Sequence, residues 1–379
     1  LIIFAEIIPQ VLKEYDPCEN TFYWPSSPSS GGGFKDASSN HAGDMHYWDV
    51  WHNFKPIEAF REFYYRFCSE YGFESLPDIK TCRAFADETK GDFDLCSPVM
   101  EAHQKCVQGN EKIMYYLAQM VRYPYDFKQL IYSSQLVQAD CIRSNVEHMR
   151  RARGRCMGSA YWQVNDSNPV ISWSSIDYFG RWKGLHYYAK RFYAPCLVSC
   201  DDSSREKPVL NISNERMTTF EGVAKWTLRN NKAEILQSGE KSVNVPALTA
   251  QNVLDIDLSQ ELVSRTDRRE KYLEYSIMEN GSVLSFGTTL FVRPKEFTFL
   301  EPKITYGISE SEDKFALTFC AENYAKSVCL SLKTADCVFS DNWFDIHGKE
   351  PVTIVIDKVS LSRKMTAQEL SEELEIMHN

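Results

Sequence analysis

The chain has 379 residues, 43% of them apolar and 25% charged, which is the make-up of an ordinary globular protein long enough for two or three domains. A formal charge of -10 argues against a nucleic-acid binder, because nothing here would neutralise a run of phosphates, and it suits a neutral small-molecule or carbohydrate ligand better. The twelve cysteines are scattered without a C-x-x-C pair, so they read as reduced thiols of a cytoplasmic protein, with Cys68 and Cys156 acting as small hydrophobes inside apolar runs.

Taken in chain order, the apolar N-terminus lacks a basic region and a cleavage site and carries Glu6 and Lys13-Glu14. Neither a signal peptide nor a membrane span fits, and the absence of an initial Met reads as a fragment of a longer chain. Residues 1–16 have helical apolar spacing, ended by Asp16-Pro17. Residues 21–25 are predicted as a short strand, followed by a polar, glycine-rich loop over 26–40 of the kind that borders ligand sites. The cluster His46-Tyr47-Trp48-Asp49-Val50-Trp51-His52 brings two imidazoles and several aromatic rings together. It fits no established metal-ligand spacing, and rings that stack on a sugar beside hydrogen-bonding His and Asp suit it better. A short helix is predicted over 56–61.

The aromatic run Phe63, Tyr64, Tyr65 and Phe67 then leads into Glu70 and Gly72. This reads as a buried parallel strand that delivers Glu70 at its carboxyl end, where α/β barrels place catalytic groups. A helix near 79–85 and a long amphipathic helix over 125–153 follow. Residues 156–166 read as a further strand with a polar end, and 182–193 as a helix. Strand–loop–helix alternation of this length makes roughly half of an eight-stranded barrel.

Composition changes near residue 200: six of the eight Trp and sixteen of the twenty Tyr precede it. Residues 199–208 read as a polar linker. Beyond it lie short alternating strands, with Glu279-Asn280-Gly281 as a hairpin turn and a second boundary at 293–295, which suggests two Ig-like β-sandwiches. The expected architecture is therefore α/β plus all-β: a barrel portion over 1–200, a sandwich over 208–293 and a C-terminal sandwich over 297–379 that ends in a polar helix or tail. No P-loop, dinucleotide fingerprint or G-x-S-x-G occurs, and neither cofactor nor metal is expected.

Several blocks in one order resemble the β-mannosidase branch of family 2 glycoside hydrolases. They are Pro25-Ser26-Ser27-Pro28-Ser29 before the glycine-rich loop, Gly43-Asp44-Met45-His46-Tyr47-Trp48, Arg66-Phe67-Cys68-Ser69-Glu70-Tyr71-Gly72-Phe73 and Tyr161-Trp162-Gln163-Val164-Asn165-Asp166. Ser172 to Tyr178, Arg181-Trp182-Lys183 and Asp341-Asn342-Trp343-Phe344-Asp345 continue the series. The resemblance implies the second half of a (β/α)8 barrel and a retaining exo-glycosidase that removes terminal β-linked mannose from oligosaccharides. Glu70 would be the nucleophile, and His46, Trp48, Trp51 and Trp162 would shape the sugar pocket with support from Asn165 and Asp166. An ionised Glu70 needs hydrogen bonds and positive charge nearby, and Arg66 and Tyr71 are its neighbours in sequence.

Two departures qualify this. The family's acid/base Glu follows an Asn-Asn pair upstream of the segment resembling 1–16, and no such Asn-Asn-Glu occurs there, so the chain is expected to be inactive without the N-terminal part of the same enzyme. Asn168 stands where relatives carry Trp, which puts the sugar-stacking wall in question. Exo-β-glucosaminidase or β-galactosidase-like specificity and a non-catalytic carbohydrate-binding fragment are the alternatives.

Overall fold

The computed structural model describes residues 2–18, 21–31 and 36–379. Part of the glycine-rich loop, residues 32–35, lies outside the described residues.

In the N-terminal part the strands are few and short. β1 (Met45–His46) and β2 (Cys68–Glu70) pair in parallel, with His46 opposite Glu70. On the other side of β2, residues 157–162 run alongside it. Met157 N donates to Arg66 O, Ala160 N to Cys68 O and Trp162 N to Tyr71 O, and Cys68 bridges Ser159 in the parallel sense. The strand expected over 156–166 is thus present as a hydrogen-bonded neighbour rather than a full ladder. The aromatic run before Cys68 is irregular, and so is 21–25, where Trp24 serves a side-chain hydrogen bond instead of a strand.

The helix Phe127–Arg151 is the central support. Asp126 caps its start by accepting from Gln129 N, basic residues close its last turn, and most of its length is buried. The helix Gly184–Phe192 packs against it.

The next part is a two-layer sandwich. One sheet has the order β3 (Cys196–Asp201), β4 (Val209–Asn214), β7 (Thr249–Asp255). The other has β6 (Ile235–Val245), β5 (Phe220–Asn230), β8 (Lys271–Glu279), β9 (Ser282–Leu290). Residues 199–201, expected in the linker, are sheet: β3 pairs antiparallel with β4, and Leu197, Val198 and Cys200 are buried. The β8–β9 turn is Asn280-Gly281, both at positive φ (51° and 81°), the backbone that an Asn-Gly hairpin selects.

The last part has two three-stranded sheets. β10 (Thr305–Glu310), β11 (Lys314–Cys320) and β14 (Val352–Asp357) form one, and β13 (Phe344–His347), β12 (Tyr324–Leu332) and β15 (Leu374–Met377) the other. The C-terminal residues are helix over Ala367–Glu373 and then β15, which pairs with β12.

The first sandwich has its own core, whereas the terminal one shares a continuous core with the helical part. Trp343 explains that union. It is 3% exposed, stacks on Tyr132 of the long helix at 4.9 Å and packs over Gly184. Its flanks are tied down: Arg191 donates to Asp341 at 2.9 Å, Asn342 exchanges two 2.8 Å hydrogen bonds with Leu330, and Tyr324 donates to Asp345 at 2.7 Å. A second clamp joins the same parts, Arg181 reaching Asp336 with two nitrogens at 2.8 and 2.9 Å while Lys80 Nζ lies 2.7 Å from the same carboxylate.

Candidate active site

Glu70 ends β2 with its side chain 29% exposed, so the strand fixes its backbone while the carboxylate stays reachable. Trp48 Nε1 donates to Glu70 Oε2 at 3.2 Å, and His46 Nδ1 lies 3.3 Å from the same oxygen. His46 Nε2 is 2.9 Å from Ser27 Oγ, which donates to Asp44 at 2.6 Å.

Asp44 organises this corner of the site. It is 8% exposed and accepts from Trp24 Nε1 (2.8 Å), Ser29 N (2.8 Å), Ser27 Oγ and Ser69 Oγ. Burial works to raise its pKa, but these hydrogen bonds outweigh burial and hold the carboxyl below its usual range. The carboxylate thereby ties the loop before the glycine-rich segment to the ends of β1 and β2. Gly43, just before it, sits at φ +67°, and a side chain there would meet Ser29 O at 1.8 Å, so only glycine permits this approach.

The wall beyond Glu70 is built on Gly72. A Cβ at this position would lie 2.4 Å from Trp162 O, 2.9 Å from Trp48 Cη2 and 3.0 Å from Trp173 Cδ1. Trp48 and Trp173 pack edge to face at 6.1 Å, and Trp162 is 44% exposed and precedes a cis peptide bond to Gln163.

Of the anticipated site residues, His46 and Trp48 both contact Glu70, and Trp162 sets its backbone carbonyl against Gly72. Asn165 is exposed. Asp166 is 8% exposed, with Ser174 Oγ donating to it at 2.6 Å and Gln163 at 3.2 Å, which makes it a brace beneath the surface.

Trp51 does not belong to the site. It is fully buried, packed on Phe73 (4.8 Å) and Tyr116 (6.2 Å), and its Nε1 donates to Cys106 Sγ, so no face is left for a ligand. Arg66 and Tyr71 also fail to serve Glu70. Arg66 is exposed with no ion pair among the described residues, and the Tyr71 hydroxyl is turned to Ser159 and Tyr193. The indole of Trp48 and the imidazole of His46 take their place. Among the described residues no group of His, Cys, Asp and Glu is arranged to hold a metal.

Residues 207–296 match the family model of the Mannosidase Ig/CBM-like domain, and 299–379 that of an Ig-fold domain of mannosidases. The chain is 33% identical over 223 residues to a β-mannosidase B of Aspergillus terreus, an alignment covering 58% of this chain and 26% of that protein. The chain therefore spans about a quarter of that curated relative's length. A crystal structure of a β-D-mannosidase from Dictyoglomus thermophilum superposes with a TM-score of 0.88 at 25% identity, over 100% of this chain and 44% of that one. An exo-chitosanase from Amycolatopsis orientalis shares the fold at 14% identity and a TM-score of 0.60, over 80% of this chain and 40% of that one. The chain is thus β-mannosidase-like, of the family 2 glycoside hydrolase kind, and corresponds to the C-terminal portion of such a protein.

Proposed function

We propose that the chain is the nucleophile-bearing portion of a retaining exo-β-mannosidase acting on terminal β-linked mannose, with Glu70 as the nucleophile. The observation that carries this is the strand-end carboxylate of Glu70, reachable and held on one oxygen by Trp48 and His46. A retaining glycosidase needs such a carboxylate to attack the anomeric carbon, and a second carboxyl about 5–5.5 Å away to protonate the leaving oxygen. Asp44, the other carboxylate in this hydrogen-bonded cluster, has its oxygens committed to four donors and is unsuited to that second part. The acid/base group then comes from the preceding portion of the enzyme, which also completes a (β/α)8 barrel whose later strands are β1, β2 and the segment at Ser159.

The N-terminal helix supports this arrangement. Neither Ile3–Ile7 nor Ile8–Tyr15 buries a residue, and Ile2, Ile3, Phe4, Ile7 and Val11 are exposed, an apolar face suited to docking on that portion.

The test is trapping. In the complete enzyme, a mannosyl donor fluorinated at the sugar's 2-position and carrying an activated leaving group should label Glu70, located by peptide mass spectrometry. Labelling of any other carboxylate refutes the assignment. The 379-residue chain alone should hydrolyse an unactivated β-mannoside at least roughly a hundredfold more slowly than the complete enzyme, the scale of lost general-acid catalysis. The exo-chitosanase likeness, at 14% identity, speaks for fold and not for glucosamine as substrate.

A further inference from the structure

A second cavity, of about 280 Å³, opens where all three parts of the molecule meet. Its walls come from the helices Phe127–Arg151 and Gly184–Phe192, from β8 and β9, and from β12 and β13; none of Glu70, His46 or Trp48 lines it. Part of its polar lining is committed within the protein, with Arg191 on Asp341 and Tyr324 on Asp345, and part is not. Lys326 is 5% exposed and ion-paired with Asp345 at 3.7 Å, while its ammonium makes no hydrogen bond among the described residues. Glu147 likewise accepts no hydrogen bond, lying 4.0 Å from Arg143, and the hydroxyls of Ser276 and Thr288 make none. Lys326 and Thr288 are buried and Glu147 and Ser276 partly so, and polar groups drawn away from bulk water ordinarily find partners, so this cluster around one void suits an occupant that both donates and accepts.

The lining sets the class of that occupant. Three basic side chains, Arg143, Arg191 and Lys326, face four carboxylates, so an ion of either sign would meet like charge. A neutral polyol has no such conflict, because each hydroxyl can donate to Glu147 and accept from Lys326 or Thr288. Phe286, 48% exposed on β9, also stands at the lining, with the Arg191 guanidinium 5.9 Å from its ring centroid on one side. The volume lies just under the roughly 300 Å³ at which small-molecule pockets begin, which suits a pyranose. We propose that this junction cavity is a non-catalytic carbohydrate-binding site that holds a neutral pyranose through Lys326, Glu147, Ser276 and Thr288, with Phe286 against the ring.

The choice of mannobiose as one probe rests on the glycosidase reading; cellobiose, a second neutral disaccharide, does not. Calorimetric titration of the whole chain with each should show one saturable site per chain. Thr288→Val and Phe286→Ala should each weaken it by roughly tenfold, the scale of one buried hydrogen bond or one stacking face. Glu70→Gln should leave it unchanged. Phe286 is half exposed, so its truncation keeps the test decisive even if Thr288→Val unfolds. Binding of neither disaccharide, binding of sulfate in their place, persistence in both cavity variants or loss in Glu70→Gln would overturn the proposal. The trapping result at Glu70 is independent of every one of these outcomes.

Discussion

Glu74 makes the sharpest demand on the folded chain. It is fully buried, neither carboxyl oxygen has a hydrogen-bond partner among the described residues, and burial pushes its pKa from 4.5 up to about 8; Gln104, Lys183 and Lys112 favour the charged form and Asp166 opposes it. Lys183, also buried, donates to Ser75 O at 3.1 Å and Ser172 O at 3.2 Å, and burial lowers its pKa from 10.5 to about 8. The signs oppose each other. Between pH 4.5 and 8 the unfolded chain releases the Glu74 proton while the folded chain keeps it, so stability falls as pH rises through that window. Between 8 and 10.5 the folded chain releases the Lys183 proton first, so stability recovers. The pair therefore places a minimum near pH 8. At about 1.4 kcal/mol per pH unit, the Glu74 window amounts to roughly 5 kcal/mol. Glu74→Gln removes that slope but also the attraction to Lys183, so the expected net gain over wild type, on going from about pH 5 to about pH 8, is roughly 2–4 kcal/mol. Urea unfolding of both proteins at the two pH values measures it. Parallel pH dependences with unchanged m-values would refute the argument.

Gly72→Ala should destabilise by about 1–3 kcal/mol, because its Cβ meets a backbone carbonyl that cannot yield, and should shift tryptophan emission as Trp48 and Trp173 move; an unchanged spectrum counts against the packing described. Asp336→Asn should cost about 1–3 kcal/mol in a urea melt by leaving Arg181 and Lys80 without their shared carboxylate. In a double mutant, Arg181→Lys should add little further loss, since the two-nitrogen grip is already gone. Asp345 is held ionised: burial works to raise its pKa, but Lys326, His347 and hydrogen bonds from Ser327 N and Tyr324 outweigh it and bring it from 3.8 to about 2. Its stabilisation is present above pH 3.8 and lost as pH falls toward 2, so Asp345→Asn should flatten the acid limb of the stability curve by roughly 2 kcal/mol.

What the chain discloses before folding is what neighbours along it decide. The Asn280-Gly281 turn and the long amphipathic helix are written in adjacent residues, and so is the strand end at Glu70, although its strand is only Cys68–Glu70. Trp51 departs from the expected sugar pocket because aromatic richness along the chain does not say which face each ring takes. Trp48 precedes the helical turn Asp49–His52 and leans over Glu70, whereas Trp51 within that turn points into the core against Phe73 and Tyr116. The role of Asp44 is not legible along the chain because its donors come from Trp24, Ser27, Ser29 and Ser69, brought together only by the fold. Likewise Trp343 stands out as part of a motif, while its partner Tyr132 lies far back in the chain.

Glu70 and Glu74 carry this contrast to its limit. They are four residues apart in one short segment, and nothing in their immediate neighbours distinguishes a reachable carboxylate from one sealed beside Lys183. The separation is made by the turn between them. Gly72 lets Trp162, Trp48 and Trp173 close over the backbone, so the chain enters the interior immediately after presenting Glu70, and Phe73, Glu74 and Ser75 are all buried. Ser75 then bridges Ser172, and Gln138 from the long helix holds the carbonyls of Phe73 and Ser174. The polar interior that strains Glu74 is thus the same structure that anchors the wall facing Glu70. A substitution that relieves Glu74 without disturbing Gln138 or Lys183 should raise stability and leave the Trp48–Glu70 hydrogen bond in place, which the indole N–H resonance of Trp48 in Glu74→Gln would report; its loss would mean that the buried carboxyl itself holds the wall.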